Sequence, residues 1–342
     1  MSLISQMMRR FFWQPRNGVP SLDSLEASDG VTAKHDVTSA VGGPGQKHPL
    51  TVVELADGKI VGDLRLAVTR EDVVIGGLQT IVGCPDPKNH YALRRRRFRV
   101  PQYRRGTALL LGTASSDNYY HWLLESVPRW KMLQAANCHD YDFVLLHSRP
   151  LAFQDEVLDR LKAPKAKRLR CPKNFVHQFE KLVVPAMPFP PEEASAWACA
   201  FVRSLFPMGT SGLEKVYLRR GAGRRRLINE SELETALQSH GFVSIQPDQL
   251  TVAEQAKSLS SARCVVAPHG APLTNLLFAP RGALLVELFH PQHKNRCYIN
   301  LAAACGHRYA SLDGHPANRA GDKRLEYTVD VPAVLKALAE NG

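Results

Sequence analysis

The chain has 342 residues, 44% of them hydrophobic and 22% charged, which excludes a disordered protein and fits a globular one. This length exceeds what one ordinary hydrophobic core accommodates, so we expect two domains. A formal charge of +12, from 44 Lys and Arg against 32 Asp and Glu, indicates an anionic partner: nucleic acid, a membrane surface or a phosphorylated metabolite. No apolar run reaches the about 18 residues typical of a transmembrane helix.

The amino-terminal third shows no helix-strand alternation. Residues 1–49 are predicted to form an extended or partly disordered lead-in, because most of them belong to a stretch rich in Gly, Pro, Ser and Asp. Residues 1–13 do not have the order of a signal peptide, and two interpretations stay open: an amphipathic segment that touches a membrane, or a terminus that frays or docks on the core. Residues 50–83 are predicted to form a small, mainly antiparallel β element.

A strongly basic segment follows at residues 94–99 (RRRRFR) and continues to Arg104 and Arg105. Such a run forms either a solvated face or a patch for a polyanion or a membrane. No helix-turn-helix cue, zinc-ligand spacing or RNP-type aromatic signature accompanies it. We therefore expect no nucleic-acid partner.

From residue 107 onward, predicted strands and helices alternate in two series, separated by a proline-rich linker at 186–192. The first series contains strand 107–112, helix 119–136, strand 143–147, helix 153–161 and strand 181–185. The second contains helix 193–206, strand 215–219, helix 230–240, strand 242–245, helix 252–260, the strands at 264–267 and 283–288, and helix 331–340. The predicted fold is α/β and GT-B-like: two Rossmann-like domains facing across a cleft, with a small N-terminal β-rich element. The domains are predicted at 50–190 and 191–342.

The segment 264–288 (CVVAPHGAPLTNLLFAPRGALLVEL) carries the clearest binding pattern. Two apolar runs of strand length enclose His269, Gly270, Thr274 and Asn275, followed by a predicted helix. A strand-to-helix turn at the carboxyl edge of a sheet favours anions such as a diphosphate, because free N–H groups and the positive helix end lie there. The alternative is an ordinary crossover in which His269 caps the helix.

A second cluster, residues 117–129 (DNYYHWLLESVPR), directly follows a predicted strand. Asp117 or Asn118 can cap the helix, and His121 and Glu125 are one turn apart on the same face. A histidine paired with a carboxylate provides a general base with an orienting partner. A purely structural interpretation would instead make this a local surface pair beside a hydrophobic helix face.

The third cluster, residues 217–230 (YLRRGAGRRRLINE), places five arginines around glycines after a strand. Arginine suits phosphate because its planar fork donates two parallel hydrogen bonds. The pattern is neither a P-loop nor a dinucleotide fingerprint. Together with residues 269–275 on the same sheet edge it predicts a diphosphate pocket, in which Glu287 is placed to accept from ribose hydroxyls. A solvated arginine turn is the alternative.

No metal site is predicted. The single Asp-x-Asp, Asp140 to Asp142, precedes its strand and is interpreted as turn chemistry. The seven cysteines are scattered without metal-ligand spacing, and we interpret them as reduced, mostly buried thiols of a cytosolic protein.

Taken in this order, residues 117–125, Arg220 with 225–230, and 269–275 with Glu287 resemble glycosyltransferase family 61, which includes bacterial capsular-polysaccharide proteins. The resemblance covers roughly residues 100–310. Pro272 stands where the family usually has a second glycine. The resemblance implies inverting transfer of a sugar from a nucleotide donor, typically a UDP-sugar, to a hydroxyl acceptor on a GT-B-like architecture.

Carried over residue by residue, the resemblance implies a donor site in the C-terminal domain and an acceptor side in the N-terminal one. The donor residues it implies are Arg220, Arg225, His269, Gly270, Thr274, Asn275 and Glu287. The catalytic candidates are His121, then Glu125 or Asp117, and the acceptor-side candidates are Asn118, Tyr119 and Tyr120. No cofactor is expected, and the reaction is expected to be metal-independent, although a divalent cation is compatible with it.

The function predicted from the sequence is transfer of a sugar to a glycan or glycolipid in surface (capsular) polysaccharide synthesis. The partners are then a nucleotide-sugar donor, a glycan or lipid-linked acceptor and, through the basic segments, a peripheral membrane contact. The expected location is the cytoplasm, at the inner face of the membrane. Two alternatives stay open: a non-catalytic module on the same fold that binds a polyanion or membrane, and a different nucleotide-dependent transferase or epimerase.

Overall fold

The computed structural model describes residues 12–13, 25–43, 46, 48–62, 66–75, 98–172, 175–190, 193–207, 209, 212–220, 225–317 and 324–341. The basic residues 94–97 and the turn 221–224 lie outside these ranges, as does most of the predicted lead-in. The chain divides into two compact units, Met1–Pro191 (unit 1) and Glu192–Gly342 (unit 2).

Unit 1 is built on a mixed β-sheet. Its described strands are β1 Phe12–Trp13, β2 Val31–Asp36, β3 Thr51–Ala56, β4 Lys59–Val61, β5 Leu66–Val68, β6 Phe98–Arg99, β7 Gln102–Leu110, β8 Phe143–His147, β9 Arg168–Cys171 and β10 Val176–Pro185. Its helices are α1 Thr38–Val41, the composite α2 described below and α3 Ala152–Arg160, with 3₁₀ turns at Ala27–Asp29 and Lys165–Lys167. The strand order is β2-β3-β10-β7-β8-β9, while β4 pairs with β10 and β5, and β1 pairs with β6 in a separate ribbon.

The sheet of unit 1 joins a parallel half to an antiparallel half. Strands β10, β7, β8 and β9 run parallel to one another, whereas the pairs β2–β3, β4–β5, β10–β3 and β10–β4 are antiparallel. Because β3 and β4 pair directly with β10, the predicted N-terminal β element is not a separate body. Its antiparallel character is confirmed, but it is a flank of the same sheet, since β10 is long enough to pair with β7 along one side and with β3 and β4 along the other.

Helix α2 follows β7 and consists of Tyr119–His121, a π-helical turn Trp122–Ser126 and Val127–Ala135. The amide of Val127 donates to the carbonyl of Trp122, five residues back. Pro128 accounts for the shift, because it has no N–H to donate to the carbonyl of Leu124. Such single π-turns are often found at functional sites.

Unit 2 is a five-stranded parallel sheet. Its strands are β11 Lys215–Leu218, β12 Val243–Ile245, β13 Cys264–Pro268, β14 Leu284–Phe289 and β15 Arg308–Asp313, with a small hairpin of β16 His315–Pro316 and β17 Tyr327–Thr328. Its helices are α4 Ala196–Ser204, α5 Glu230–Ser239, α6 Val252–Leu259, α7 Cys297–Cys305 and α8 Val331–Asn341, with 3₁₀ segments at Pro247–Gln249 and Ala271–Phe278.

The strand order of this sheet is β12-β11-β13-β14-β15, the doubly wound order 2-1-3-4-5. The order reverses between β11 and β13, so the loops that follow these two strands leave the carboxyl edge in opposite directions. The crevice at such a switch point is where ligands bind in open α/β sheets. In this chain the two loops carry Arg220 and Gly270.

The cores follow from this layering. In unit 1, the side chains of β3, β4, β7, β8 and β10 form one apolar cluster that includes Leu55, Leu110 and Phe179. In unit 2, α5 and α8 pack on one face of the sheet, with Leu233 and Val334 buried against β13 and β14. Helices α4, α6 and α7 pack against the segment Ala271–Phe278.

The predicted alternation of strands and helices after residue 107 is confirmed, with ends displaced by a few residues. The segment after Gly270 is the exception in type: it is a 3₁₀ helix, not an α-helix. The α/β class and the mixed sheets agree with the predicted class, whereas the GT-B arrangement stays a prediction. In the part of the chain that is described, no helix is both long and apolar enough to cross a membrane.

Candidate functional site: an arginine pocket and two histidine–glutamate pairs

The switch point of unit 2 brings Arg220 against Gly270. The guanidinium of Arg220 donates through Nη1 to the carbonyl of His269. A Cβ atom placed on Gly270 would lie 2.5 Å from the same nitrogen, so only glycine leaves room for this arrangement. Burial lowers the pKa of Arg220, and no acidic side chain among the described residues forms an ion pair with it. A half-buried guanidinium without a carboxylate partner is suited to an anionic ligand.

Arg225 approaches the same region from the end of the β11 loop. Its backbone is left-handed (φ 65°), and its amide donates to the carbonyl of Arg324 at 2.6 Å. Burial raises the pKa of Tyr327, and the nearby guanidiniums of Arg220 and Arg225 oppose that rise. Both arginines therefore lie near enough to Tyr327 to influence its hydroxyl. Burial, with a further effect of Arg225, also lowers the pKa of His290.

Below this pocket lies a buried hydrogen-bonded network. The Nδ1 atom of His269 is 2.5 Å from Oε1 of Glu287, and the hydroxyl of Tyr309 donates to Oε2 at 2.8 Å. The Nε2 atom of His269 is 3.2 Å from the side-chain nitrogen Nδ2 of Asn295. The imidazole ring stacks on the ring of Phe289, with 5.0 Å between the ring centroids. A carboxylate buried in a parallel sheet needs such partners, because an unpaired buried charge is costly.

The network gives Glu287 an evident structural task. Its side chain has no exposure, and both carboxylate oxygens are bonded to protein groups. In this arrangement it orients His269, which does not cap the following helix. The ribose contact implied for Glu287 stays a prediction, and a ribose would have to displace one of its present partners.

Two further donor candidates are also fully buried. Asn275 donates to Oε1 of Gln255 at 2.6 Å and to the carbonyl of Pro272 at 3.0 Å, so its amide braces the 3₁₀ segment from within. Thr274 is equally buried, and its Oγ1 has no hydrogen-bond partner among the described residues. Of the expected donor residues, the structure therefore brings Arg220 against His269 and Gly270, leaves Arg225 near Tyr327, and buries Thr274, Asn275 and Glu287.

The arginine cluster predicted from the sequence is divided between two tasks. Arg219 forms ion pairs with Glu234 (3.2 Å) and Glu230 (3.9 Å) on α5, and Arg226 pairs with Glu326 at 3.5 Å. These two arginines are held by the protein's own carboxylates. Arg220 forms no ion pair with a described carboxylate, and Arg224 lies outside the described residues.

The candidate site of unit 1 lies where β7 gives way to α2. Asn118 is the N-cap: its side-chain oxygen accepts from the amide of Tyr120 at 2.9 Å. One turn later, Nδ1 of His121 is 2.7 Å from Oε1 of Glu125. The structure thus forms the predicted pair, with Nε2 as the ring nitrogen that is not engaged by Glu125.

The surroundings of Glu125 contain several unpaired polar atoms. Its Oε2 is buried and, like Nε1 of Trp122 and Oγ of Ser126, has no hydrogen-bond partner in the described ranges. Arg129, fully buried two turns after His121, donates to the carbonyl of Gly112 at 3.3 Å and has its pKa lowered by burial to about 10, with Glu125 opposing that shift. Unpaired buried atoms cost free energy and are tolerated where function requires them.

The remaining candidates of unit 1 differ in their environment. Asp117 is exposed, beside the cap residue Asn118. Tyr120 is buried with its ring edge-on to His121 at 5.3 Å, and Tyr119 packs edge-on against Phe153 at 5.4 Å. Tyr120 therefore contacts the proposed base directly, whereas Tyr119 connects α2 to α3.

Sequence reasoning missed the partners of the buried groups. Tyr309, Asn295 and Tyr327 take part in the unit 2 site, and Arg129 in that of unit 1. A usable signal was Glu287 itself: a carboxylate within the apolar run LLVELF must find buried donors, although the run does not reveal which. Within the described ranges, no group of three or more His, Cys, Asp and Glu side chains is arranged to hold a metal ion.

Comparison with known proteins relates part of the chain to a family of enzymes. Residues 119–286 match the family Glycosyltransferase 61. The match is slightly shorter than half of the chain, begins at the first residue of α2 and ends one residue before Glu287. It therefore contains the His121–Glu125 pair, both pocket arginines and the turn at Gly270. These findings support glycosyltransferase family 61 for the matched region.

Relatives with curated names point the same way. The chain is 30% identical over 129 residues to the EGF domain-specific O-linked N-acetylglucosamine transferase of Drosophila melanogaster, covering 34% of this chain and 25% of that protein. It is 31% identical over 97 residues to the Gallus gallus protein of the same name, with 27% and 18% covered. It is 38% identical over 76 residues to the human protein O-linked-mannose beta-1,4-N-acetylglucosaminyltransferase 2, with 20% and 13% covered.

The chain thus spans a quarter or less of the length of these relatives. All three are animal glycosyltransferases that transfer N-acetylglucosamine according to their names. They support a glycosyltransferase enzyme. The capsular-polysaccharide setting expected from the sequence has no counterpart among them.

Proposed function

We propose that this protein is an inverting glycosyltransferase that binds a nucleotide-sugar, expected to be a UDP-sugar, in unit 2 and transfers the sugar to a hydroxyl acceptor. The observation that carries the proposal is the contact of Arg220 with Gly270 at the switch point of the parallel sheet. It combines a guanidinium that lacks an acidic partner in the described structure with a backbone that a ligand can approach closely.

The chemistry requires stabilisation of the leaving nucleoside diphosphate. As the bond from the anomeric carbon to the donor oxygen breaks, negative charge grows on the phosphate. Arg220, whose guanidinium is held by the carbonyl of His269, would stabilise that charge, and Arg225 would add to its effect. A bound divalent cation is compatible with the same pocket.

The acceptor hydroxyl must lose a proton during the transfer. We assign this step to His121, whose Nδ1 faces Glu125 and whose side chain is partly exposed. Glu125 would orient the ring and stabilise the imidazolium that forms. Asp117 is the alternative base because it is exposed at the same helix start, while Asn118, Tyr119 and Tyr120 shape the acceptor side.

The names of the relatives narrow the choice of sugar to be tested first. They name N-acetylglucosamine transfer in each case, so we propose N-acetylglucosamine as the first donor sugar to assay. For the acceptor we keep the glycan or glycolipid hydroxyl of a surface polysaccharide and add a protein-linked hydroxyl, because the relatives act on protein substrates by name. The cytoplasmic location stays a prediction.

The test is a thermal-shift and calorimetric screen of the purified chain against UDP, GDP, CMP and ADP, with and without manganese. A ligand that binds only the folded state raises the melting temperature by mass action. We expect one nucleotide to stabilise the protein and Arg220→Ala to weaken its affinity about 10- to 100-fold. Arg219→Ala is the matched control, because Arg219 is paired with Glu230 and Glu234, and it should leave the affinity unchanged.

Equal loss in both variants, or unchanged affinity in Arg220→Ala, would remove the phosphate role of Arg220. Absence of any response to the nucleotides, combined with tight binding to heparin or liposomes, would favour the non-catalytic polyanion- or membrane-binding module. A requirement for manganese would contradict the expected metal independence and leave the transferase proposal in place.

A peripheral membrane contact is proposed as an addition to this function. The ribbon pairs Phe12 with Arg99 and Trp13 with Phe98, so the described ends of the segments 1–13 and 94–99 are neighbouring strands. Next to the ribbon, Val100 and Tyr103 are 45% and 57% exposed, and Arg105 extends into solvent. Exposed aromatic and basic residues together favour anionic lipid.

Sedimentation with vesicles of phosphatidylcholine and phosphatidylserine tests this contact. The double variant Tyr103→Ser with Arg105→Glu should lose most of the binding, while Lys294→Glu, an exposed residue of unit 2, should not. Equal binding of both variants would remove the membrane proposal without affecting the nucleotide site.

A further inference from the structure

A segment near the end of the chain, residues 324–329, runs alongside residues 225–229 of unit 2. Leu227 and Tyr327 form a parallel β-bridge between the two segments, and both residues are buried. The amide of Ile228 donates to the carbonyl of Tyr327 at 2.8 Å. We call residues 324–329 the strap and residues 225–229 the arginine loop, because the strap pairs with the loop as a short neighbouring strand would.

Asn229 binds the strap through its side chain. Its Oδ1 accepts from the amide of Val329 at 3.0 Å, and its Nδ2 donates to the carbonyl of Val329 at 2.9 Å and to Oε2 of Glu232 at 3.1 Å. Asn229 is also the N-cap residue of α5, a position where asparagine commonly accepts from the first amides of the helix. It makes no such bond, so its side-chain oxygen serves the strap and not the helix.

The strap also holds the other end of the arginine loop. The amide of Arg225 donates to the carbonyl of Arg324 at 2.6 Å. Arg225 and Leu325, the residue after this acceptor, are both left-handed, with φ angles of 65° and 53°. Residues other than glycine persist in this unfavourable conformation only where their surroundings impose it. Two such residues at one hydrogen bond therefore indicate that the strap imposes the backbone conformation of Arg225.

The strap itself is attached to the sheet, independently of the arginine loop. The hydroxyl of Tyr327 donates to the carbonyl of Leu288 at 3.2 Å, and the amide of Gly314, just before the small hairpin, donates to the carbonyl of Phe289 at 2.8 Å. A Cβ atom on Gly314 would overlap the ring of Tyr327, so the hairpin packs directly on this ring. The strap therefore connects the arginine loop to the end of β14.

An ion pair at the surface joins the same two segments. Nε of Arg226 is 3.5 Å from Oε1 of Glu326, and the side chain of Arg226 is 60% exposed. Exposed ion pairs contribute little, because water screens their charges. We therefore expect the hydrogen bonds of Asn229, and not this ion pair, to keep the strap on the arginine loop.

We propose that Asn229 is a positioning residue of the donor site: by binding the strap, it keeps Arg225 left-handed and so sets the position of the Arg225 guanidinium for the diphosphate. This inference rests on the proposed function, because Arg225 acts on a ligand only if the site binds one. Without the amide of Asn229, the strap loses both bonds at Val329, and Arg225 relaxes to a more favourable backbone conformation that turns its side chain away. Asn229 itself does not contact the ligand.

The first experiment measures amide hydrogen exchange of the whole chain without ligand. In Asn229→Ala, exchange in the arginine loop and in the strap should accelerate at least about tenfold, while β13 keeps its protection. Asn229→Asp, which preserves size but presents an oxygen to the carbonyl of Val329, should do the same. Arg226→Ala is the matched control and should leave both segments protected. Unchanged exchange in the Asn229 variants, or equal acceleration in the control, would overturn the proposal.

The second experiment measures the affinity for UDP, or for the nucleotide that stabilises the chain in the screen, in a double-mutant cycle. Asn229→Ala and Arg225→Ala should each weaken binding about 5- to 10-fold. The double variant should bind no more weakly than Arg225→Ala alone, because Asn229 acts through Arg225. In the Arg220→Ala background, Asn229→Ala should keep its full effect. A full further loss on adding Asn229→Ala to Arg225→Ala would overturn the proposal.

Failure of this inference and failure of the proposed function give different results. Wild-type protein that binds none of the four nucleotides would remove the proposed function, and with it the ligand role of Asn229, whatever the exchange rates show. Wild-type binding of a nucleotide, together with unchanged exchange or with independent losses in the cycle, would remove only the role of Asn229.

Discussion

Each unit of the molecule carries a histidine paired with a glutamate, but the two pairs lie in opposite surroundings. In unit 1 the His121 side chain is 19% exposed, and Glu125 has one oxygen without a partner among the described residues. In unit 2 the His269 side chain is 6% exposed, and Glu287 is fully buried with donors on both oxygens. A base that exchanges protons with a substrate must be accessible to that substrate. A group that holds a loop in place must instead have all its polar atoms hydrogen-bonded. The same two residue types therefore support different tasks in the pair His121–Glu125 (the open pair) and in the pair His269–Glu287 (the closed pair).

The largest effect is expected from His121→Gln in the open pair. If His121 removes the acceptor proton, turnover should fall about 10²- to 10⁴-fold while nucleotide affinity stays constant. The measurement is steady-state transfer of N-acetylglucosamine, alongside calorimetric binding of the nucleotide. Glutamine occupies similar volume, so the free energy of unfolding should change by less than about 1 kcal/mol. Full activity in this variant would move the base to Asp117.

In the closed pair, Glu287→Gln should lower the free energy of unfolding. Removing the charge from a saturated buried network should cost about 3 kcal/mol in the free energy of unfolding, measured by denaturant titration. The same change in the open pair, Glu125→Gln, should cost less than about 1 kcal/mol, because one oxygen of Glu125 already lacks a donor. Equal costs for the two substitutions would show that the two environments do not differ as the contacts indicate.

The arginine pocket above the closed pair can be probed by Gly270→Ala. The new Cβ would lie 2.5 Å from Nη1 of Arg220, so the guanidinium must move. Nucleotide affinity should fall about tenfold with little change in folding. Gly43→Ala is the control, since its Cβ would meet no atom within 4 Å. If Gly270→Ala binds nucleotide normally, the position of Arg220 does not matter for the ligand.

The smallest effect concerns His177, a buried histidine that forms no ion pair with a carboxylate among the described residues. Burial, with a further effect of Arg104, lowers the pKa of His177 from 6.5 to about 4. Because the folded state binds the proton less readily than the unfolded state, His177 costs nothing at neutral pH. It destabilises the fold as the pH falls from about 6.5 towards 4. Replacement by Gln should reduce the acid-induced loss of stability by about 1 kcal/mol at pH 5. Identical pH profiles of the two proteins would contradict this assignment.

Much of the fold could be predicted from the sequence after residue 107, because apolar runs and helical periodicity are local patterns. The helix 119–136 and the strands at 264–267 and 283–288 were predicted within a few residues. The 3₁₀ form of Ala271–Phe278 was not, since it depends on packing against α4, α6 and α7. The antiparallel flank of unit 1 was recognised as β structure but not as part of the same sheet, because strand pairing is a long-range contact.

The candidate sites were predictable to a similar degree. Motif order led to His121, Glu125, Arg220 and Gly270, and these residues lie at sheet edges. The partners of the buried groups are invisible in the sequence, because Asn295 is distant from His269 and Tyr309 from Glu287 along the chain.

By itself, the sequence determined which segments become strands and helices and which residue types stand at the strand ends, because hydrophobic periodicity and turn chemistry act over a few residues. Only the tertiary structure decided that the order of unit 2 reverses between β11 and β13, that Arg220 fills the space left by Gly270, and that Glu287 is saturated while Glu125 is not. Those outcomes depend on burial and on contacts between residues far apart in the chain, where the cost of an unpaired charge selects the arrangement.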